Sequence, residues 1–335
     1  MTNAFAAKSL IAAALLGMSA GQAWPQARET AGIELEAKIA LGKVNGRIDH
    51  MAIDLARGRL FVAELGNDSV GVVDVKANNL LQRIAGLAEP QGVGYAPSTD
   101  TLYVANARGG SVRLYRGDGY TPAGAIELRD DADNIRVDPD RNRVMIGYGN
   151  GGIAAIEAAS GRRIADITLK AHPESFQVAR DGARIYVNLP GAQAIGVIDT
   201  AAGKQIATWP LPSMRGNFAM ALDEEGKRVL VVFRNPAKLA AFAMADGALV
   251  TSVDTCGDVD DLFIDAKRQR IYVSCGEGFI DVLDKTNTPY RRIARMRTVA
   301  GARTSLFVPA LDRLYVAVRA SGSEPAAIWV WRPVP

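Results

Sequence analysis

The sequence predicts an all-β fold, a seven-bladed β-propeller with four antiparallel strands in each blade. Three observations predict it: a repeat of about 42 residues, short β-branched and aromatic runs bounded by turn residues, and an orphan strand pattern ahead of the first repeat. The 335-residue chain is 48% hydrophobic with a formal net charge of +3, which excludes a disordered protein. The balance of 39 basic against 36 acidic residues argues against a dedicated duplex-DNA binder.

Seven apolar three-residue runs mark the repeat, and their central residues are 42, 42, 41, 44, 42 and 43 positions apart. The runs are Leu60–Val62, Leu102–Val104, Val144–Ile146, Ile185–Val187, Val229–Val231, Ile271–Val273 and Leu314–Val316. A period of about 40 to 45 residues is typical of four-stranded propeller blades. Because each unit contains several alternating runs separated by Gly, Asp, Asn or Pro, the pattern favours strands over the helix pairs of a solenoid.

The last repeat lacks a fourth strand, since the sequence after Ala327–Val334 is too short to supply one. The segment Ile33–Leu41 has the polar pattern of an outer strand and precedes the first complete unit. We therefore expect this strand to complete blade seven, which removes an open sheet edge and makes residues 33–335 a single domain.

Residues 1–23 have the order of a secretory signal: Lys8, an apolar run over Leu10–Met18, then small residues up to Ala23. The nine-residue run is too short for a hydrocarbon layer that needs about 20 residues. We expect cleavage after Ala23, a short linker over residues 24–32, and a mature protein in the periplasm or secreted. No later segment is long enough to span a membrane, and we expect a monomer.

Several of these runs resemble a known family. The stretches Leu102–Asn106, Ile185–Asn188 and Ile195–Lys204 are similar to the repeats of the YVTN-repeat, or YncE-like, bacterial seven-bladed propellers. The resemblance implies a periplasmic or surface location. It leaves function open, since similar propellers include proteins assigned to single-stranded DNA binding, surface layers, metal delivery and partnership with redox enzymes.

Polar residues recur where each first strand approaches the central channel, a part of the propeller that we call the channel mouth. Counting back about twelve residues from each repeat centre selects a mostly polar set, and the next position adds further polar groups. The predicted ligand-binding residues are Asp49, His50, Gln91, Asp133, Asn134, His172, Glu174, Asn217, Asp260, Asp261 and Arg303.

Two interpretations of the mouth stay open. The side chains either line a water-filled channel and satisfy loop amides, or they form a ligand pocket in which converging carboxylates raise one another's pKa or recruit a cation. Oxygen ligands favour Ca²⁺ or Mg²⁺, with Asp133, Glu174 and Asp260 as candidate metal ligands. Arg303 would offset the negative charge or bind an anionic group.

The two histidines belong to blades one and four. Those blades lie nearly across the ring, so His50 and His172 are not expected to act on one ion unless both side chains reach the axis. His172 is the stronger candidate because Glu174 follows it closely.

Cys256 and Cys275 are the only cysteines. Export favours oxidation, and folding the first strand of blade six against the second brings both to the mouth. We expect a disulfide that closes a loop of about 20 residues.

For function, the sequence favours a non-catalytic scaffold that binds a small ligand or a periplasmic protein at the mouth. The alternative is a metal-assisted hydrolase or lyase, similar to lactonase propellers, at the same place. Single-stranded nucleic-acid binding is less favoured because the mouth is acidic.

Overall fold

The computed structural model describes Met1 and residues 32–335. These residues form 28 β-strands in seven four-stranded antiparallel sheets, together with four three-residue 3₁₀ turns. The predicted fold class is therefore confirmed. The predicted signal segment, its cleavage site and nearly all of the predicted linker lie outside the described residues.

Blades one to three follow the repeat directly. Blade one contains β2 (Met51–Asp54), β3 (Arg59–Glu64), β4 (Ser69–Asp74) and β5 (Asn79–Ala85). Blade two contains β6 (Pro90–Ala96), β7 (Thr101–Asn106), β8 (Ser111–Arg116) and β9 (Thr121–Glu127). Blade three contains β10 (Ala132–Asp138), β11 (Arg143–Tyr148), β12 (Gly152–Glu157) and β13 (Arg163–Thr168).

Blades four to six repeat the arrangement. Blade four contains β14 (Phe176–Val178), β15 (Arg184–Leu189), β16 (Ala194–Asp199) and β17 (Lys204–Pro210). Blade five contains β18 (Arg215–Asp223), β19 (Arg228–Asn235), β20 (Ala237–Ala243) and β21 (Leu249–Asp254). Blade six contains β22 (Val259–Asp265), β23 (Arg270–Cys275), β24 (Phe279–Asp284) and β25 (Arg291–Arg297).

Blade seven is built from both ends of the described chain. Its strands are β26 (Ser305–Val308), β27 (Arg313–Val318), β28 (Ala327–Pro333) and β1 (Ile33–Ala40). Strand β1 pairs antiparallel with β28, from Ile33 opposite Pro333 to Ala40 opposite Ala327. The predicted closure of the last blade by the first strand is confirmed.

Buried apolar clusters hold the blades together. At the boundary between blades seven and one, Ile39, Leu60, Val62, Tyr315 and Ile328 pack in a single cluster, and comparable clusters occupy the other six boundaries. Burial of apolar area contributes about 25 cal/mol per Å². The core is thus distributed around the ring, and the channel at its centre is free for polar groups at its ends.

The end of the ring opposite the mouth, which we call the turn face, carries the hairpins between the first and second strands. There Arg268 Nη1 lies 3.0 Å from Asp265 Oδ2 in its own blade and 2.6 Å from Asp312 Oδ1 in the next. Arg57 joins Asp54 to Asp100 in the same way, at 2.8 and 2.7 Å. These arginines link neighbouring blades through paired carboxylates.

No helix among the described residues is long and apolar enough to cross a membrane.

Candidate ligand-binding site at the channel mouth

Backbone irregularities at the start of the inner strands shape the mouth. Four inner strands shift register against their neighbours just where the predicted polar positions fall. The shifts lie between Pro90 and Val93, Ala132 and Ile135, Asn217 and Ala219, and Val259 and Asp261. A bulge bends the strand and redirects its side chains, so successive polar residues need not alternate between the two faces of a blade.

Asp133 lies between the two histidines. Its Oδ1 is 4.0 Å from His50 Nε2, and its Oδ2 is 3.9 Å from His172 Nε2. Side chains from blades one and four therefore approach one carboxylate. The sequence predicts joint action of His50 and His172 on one ion only if both side chains reach inward, and at Asp133 both do.

His172 is held by a second contact on the far side of its ring. Its Nδ1 donates to the carbonyl oxygen of Gly149 at 2.6 Å and lies 3.8 Å from Asp131 Oδ2. Burial acts to lower the pKa of His172, but Asp133 and the Gly149 carbonyl raise it to about 9. His172 is therefore an imidazolium at neutral pH, with both ring nitrogens facing oxygen atoms. Gln91 donates to the other oxygen of Asp131 at 3.0 Å, which orients this carboxylate.

The pKa of Asp133 is lowered, whereas that of His172 is raised. Burial opposes its ionisation, but His172 and His50 keep its pKa below the ordinary value. The backbone of Asp133 lies close to Gly92 of blade two. A Cβ at position 92 would be 1.8 Å from the Asp133 carbonyl oxygen, so this approach requires glycine. Blade two thus contributes a close backbone contact that positions the central carboxylate.

His50 is surrounded by carboxylates. Its Nδ1 lies 4.0 Å from Asp261 Oδ1 and its Nε2 lies 3.8 Å from Asp49 Oδ1. Burial acts to lower the pKa of His50, and the charges of Asp49 and Asp261 raise it overall. When His50 is protonated, its charge neutralises part of the acidic centre.

Three further mouth carboxylates are poorly compensated. Burial raises the pKa of Asp49 to about 7, and burial with the charge of Asp133 raises that of Glu174 to about 7. Burial also raises the pKa of Asp261 to about 6, although its Oδ2 accepts a hydrogen bond from the Ser305 amide at 2.8 Å. Asp49 is 1% exposed, and Arg47 lies 2.7 Å from its Oδ2 without the geometry of a hydrogen bond. These groups would gain from a cation placed among them.

Arginines from blades five and seven flank Asp260 of blade six. Arg234 Nη2 donates to Asp260 Oδ1 at 2.7 Å, and Arg303 Nε lies 2.9 Å from Asp260 Oδ2 without the geometry of a hydrogen bond. Arg234 also stacks on the Phe218 ring, 3.7 Å from its centroid. The predicted convergence of Arg303 with the acidic residues is present, and it fixes Asp260 between two guanidinium groups.

Two predicted site residues lie elsewhere. The Asn217 side chain is fully buried and donates to Asn188 Oδ1 at 3.2 Å and to the Ala194 carbonyl at 3.0 Å, so it joins blades four and five. Asn134 is 1% exposed. A register shift lies beside each residue, and both side chains are buried, with the Asn134 side-chain oxygen lacking a hydrogen-bond partner among the described residues.

No group of three or more His, Cys, Asp or Glu side chains within residues 32–335 is arranged to hold a metal ion. Of the carboxylates predicted as ligands for Ca²⁺ or Mg²⁺, Asp133 faces the histidines and Asp260 faces the arginines. The arrangement is suited to organic hydrogen-bond donors more than to a closed set of metal ligands.

Cys256 and Cys275 form the predicted disulfide, with Cα atoms 5.8 Å apart, within the usual range. Beside it, the Gly276 amide donates to the Asp258 carbonyl at 2.8 Å. The disulfide and this hydrogen bond hold the loop that carries Asp258 and Asp260.

Sequence reasoning missed Arg47, Asp131 and Arg234. Arg47 and Asp131 each stand two positions ahead of a predicted carboxylate, and Arg234 stands four positions after a repeat centre. A count forward from the centres, which samples the ends of the second strands, would have found Arg234.

A cavity of about 590 Å³ continues from the mouth into the channel, lined mainly by apolar side chains of the inner strands. Arg136 is the notable charged group there, and it donates to the carbonyl oxygens of Phe176 and Ile135, both at 2.9 Å. Its guanidinium also contacts Ser175 Oγ at 3.2 Å, and burial lowers its pKa. The cavity therefore has mainly apolar walls that also carry the charged or titratable side chains of Arg136, His50 and Asp261.

Comparison with known proteins supports the fold and no specific activity. No protein-family model and no curated protein sequence matches the chain. Among solved structures, a chain of hydrazine synthase from Kuenenia stuttgartiensis is similar with a TM-score of 0.72 and 17% sequence identity, over 80% of this chain and 91% of that chain. As many as 1805 solved chains match, so the propeller architecture alone does not select a function.

Proposed function

We propose that this protein is a binding protein whose channel mouth holds a small ligand carrying a positively charged, donor-rich group such as an ammonium. The observation that carries the proposal is the set of buried or half-buried carboxylates, Asp49, Glu174 and Asp261, whose pKa is raised around the His50, Asp133 and His172 centre. An ionised carboxylate in a poorly solvated site is stabilised by an opposite charge close by. A cationic ligand would supply that charge, and the mainly apolar cavity below would take its carbon skeleton.

The location proposed for this activity is the periplasm or the cell exterior. The signal pattern of residues 1–23 and the resemblance to YVTN-repeat propellers support it, and the disulfide is consistent with an oxidising compartment. A periplasmic protein could bind at the same place by inserting a basic side chain. Both kinds of partner would place an ammonium or guanidinium in the mouth.

The test uses putrescine as the probe, with thermal unfolding as the readout at pH 8. We expect putrescine to raise the melting temperature of the wild type and of Asp246→Asn, a matched exposed control, and to have little effect on Asp133→Asn. Binding should be tighter at pH 8 than at pH 5.5, because Glu174 and Asp49 bind protons at the lower pH. An equal shift in Asp133→Asn, or none in the wild type at millimolar putrescine, would contradict the proposal.

A metal-assisted hydrolase or lyase is the second candidate. The convergence of two histidines on Asp133 favours it, since His and carboxylate ligands often share a catalytic metal. Elemental analysis of protein purified from the periplasm discriminates between the two functions. A stoichiometric metal whose removal by a chelator abolishes a hydrolytic activity would replace the binding proposal with this one.

A further inference from the structure

A second, smaller cavity of about 130 Å³ lies beside the mouth, where blades six, seven and one meet. Three arginines line it together with a single carboxylate: Arg47, Arg303, Arg319 and Asp258. Its remaining lining is Ile48, Gly301 and Ala317. Three guanidinium groups facing one small space repel one another, and one carboxylate, Asp258, offsets part of that repulsion.

The acidic groups nearby do not fully compensate the three arginines. Arg303 is shared between Asp258, 2.7 Å from its Nη1, and Asp260, 2.9 Å from its Nε. Arg47 contacts Asp49 through Nη2, but its buried Nε has no hydrogen-bond acceptor. Within residues 32–335, no Asp or Glu oxygen lies within 4.0 Å of the Arg319 guanidinium. Among the described residues, Arg47 Nε thus lacks a hydrogen-bond acceptor, and the exposed Arg319 guanidinium lacks a carboxylate partner.

The loop before β26 holds Arg319 in place. Gly301 has a φ of +86°, and a Cβ at this position would come within 2.5 Å of Arg319 Nε. Its amide donates to the Gly276 carbonyl at 2.7 Å, which ties the loop to the disulfide-bonded part of blade six. The Arg319 head therefore packs against a backbone turn that only glycine accommodates without strain.

We infer that this cavity binds a small oxyanion, either a tetrahedral sulfate or phosphate group or a carboxylate. A guanidinium presents paired donors that match the oxygens of such groups. At about 130 Å³ the cavity has room for one small oxyanion. The inference does not require a cationic ligand in the mouth, although Arg47 and Arg303 contact the mouth carboxylates Asp49 and Asp260 and only Arg319 is separate from them.

Isothermal titration with sodium sulfate, phosphate and acetate, each against chloride at matched ionic strength, tests the site. At least one oxyanion should bind the wild type, and Arg319→Gln should weaken its affinity about tenfold or more, which corresponds to about 1.4 kcal/mol. Arg297→Gln, which removes an exposed arginine from β25, is the matched control and should bind as the wild type does. Arg319→Lys should lie between wild type and Arg319→Gln, because it keeps the charge and loses the paired donors.

Tighter binding of sulfate or phosphate would identify the ligand class as a tetrahedral anion. Tighter binding of acetate would identify it as a carboxylate. Absence of heat with all three anions would overturn the inference. Equal binding by the wild type and Arg319→Gln would also overturn it, since the anion would then lie elsewhere. Putrescine binding measured on the same Arg319→Gln protein separates the two proposals, because loss of the oxyanion site leaves the acidic mouth intact.

Discussion

The two ends of the channel use the same residue types with opposite electrostatic outcomes. On the turn face, hydrogen bonds from Arg268 hold the pKa of Asp312 at about 2, and those from Arg57 lower the pKa of Asp100. At the mouth, burial raises the pKa of Asp49 and of Glu174 to about 7. At the turn face Arg57 and Arg268 each bridge carboxylates of two neighbouring blades, whereas the mouth carboxylates Asp49 and Glu174 are less well neutralised by their neighbours.

The difference indicates that one end of the strands stabilises the fold and the other end binds the proposed ligand. Paired charges at the turn face stabilise the contacts between blades. Unpaired or partly paired charges at the mouth reduce stability in the free protein and gain from a ligand, which is a common property of functional sites. Substitutions at the turn face should therefore change stability alone, whereas those at the mouth should change stability and binding in different directions.

The largest effect is expected from the disulfide, which holds the mouth of blade six covalently. Replacing both Cys256 and Cys275 by Ser should lower the free energy of unfolding by about 3 kcal/mol, because the unfolded chain loses its cross-link. Urea denaturation with and without reductant measures it. Reductant should destabilise the wild type and leave the double variant unchanged; a variant as stable as the oxidised wild type would refute the stabilising role.

The second-largest loss of unfolding free energy is expected from Arg268→Ala. It leaves Asp265, which is 2% exposed, with Tyr272 as its remaining side-chain donor, and should cost about 2 kcal/mol of unfolding free energy. Arg297→Ala, on the exposed edge, should change stability by less than about 0.5 kcal/mol. Urea denaturation of both variants compares them. Putrescine should bind Arg268→Ala as it binds the wild type, and a loss of binding would contradict the separation of the two ends.

The acid dependence of the turn face follows from the lowered pKa of Asp312. A carboxylate with a lowered folded-state pKa stabilises the fold above its ordinary value of 3.8, and this contribution is lost as pH falls toward about 2. In Arg268→Ala this part of the acid-induced loss of stability should be reduced.

Glu174→Gln should raise the free energy of unfolding at pH 8, whereas the preceding substitutions lower it. The pKa of Glu174 is raised from 4.5 to about 7, so its contribution to stability is present below pH 4.5 and is lost as pH rises through 7. Removing the charge should stabilise the protein by about 1 kcal/mol at pH 8 and have little effect at pH 4. Thermal unfolding at both pH values measures it, and destabilisation at pH 8 would show that Glu174 is already compensated.

The smallest effect is expected at His172. Its pKa is raised from 6.5 to about 9, so its stabilising contribution is complete below pH 6.5 and disappears as pH rises through 9. His172→Gln should lower stability at pH 6 by about 1 kcal/mol or less and match the wild type at pH 10. A difference that is constant from pH 6 to 10 would mean that the ring acts through packing and not through its charge.

The fold was predictable because its determinants are periodic. The repeat set the number of blades, and the orphan strand pattern of Ile33–Leu41 indicated how the ring closes. The disulfide was predictable because two cysteines fell at adjoining strand ends in one blade. Each of these depends on positions along the chain, which a sequence shows directly.

The site was only partly predictable. Counting from the repeat centres found Asp133 and Glu174 but also led to Asn217, beside the counted Phe218, and the Asn217 side chain bonds between blades four and five. The reach of His50 and His172 to one carboxylate depends on side-chain directions across the ring, which spacing does not reveal. Arg234 and Arg319 lie at second-strand ends, outside the positions that the count sampled.

The seam in blade seven has a consequence for how the ring can open. Six blades are continuous stretches of chain whose four strands are joined by hairpins, whereas β1 and β28 meet without any connecting turn. Ile33 and Pro333 are among the most distant partners along the chain, so their pairing gains least from local chain geometry. Peeling β1 away at this seam would uncover apolar flanks on blades seven and one while every other strand connection stays intact. The ring is therefore closed at blade seven by the non-covalent pairing of β1 with β28, without a connecting turn.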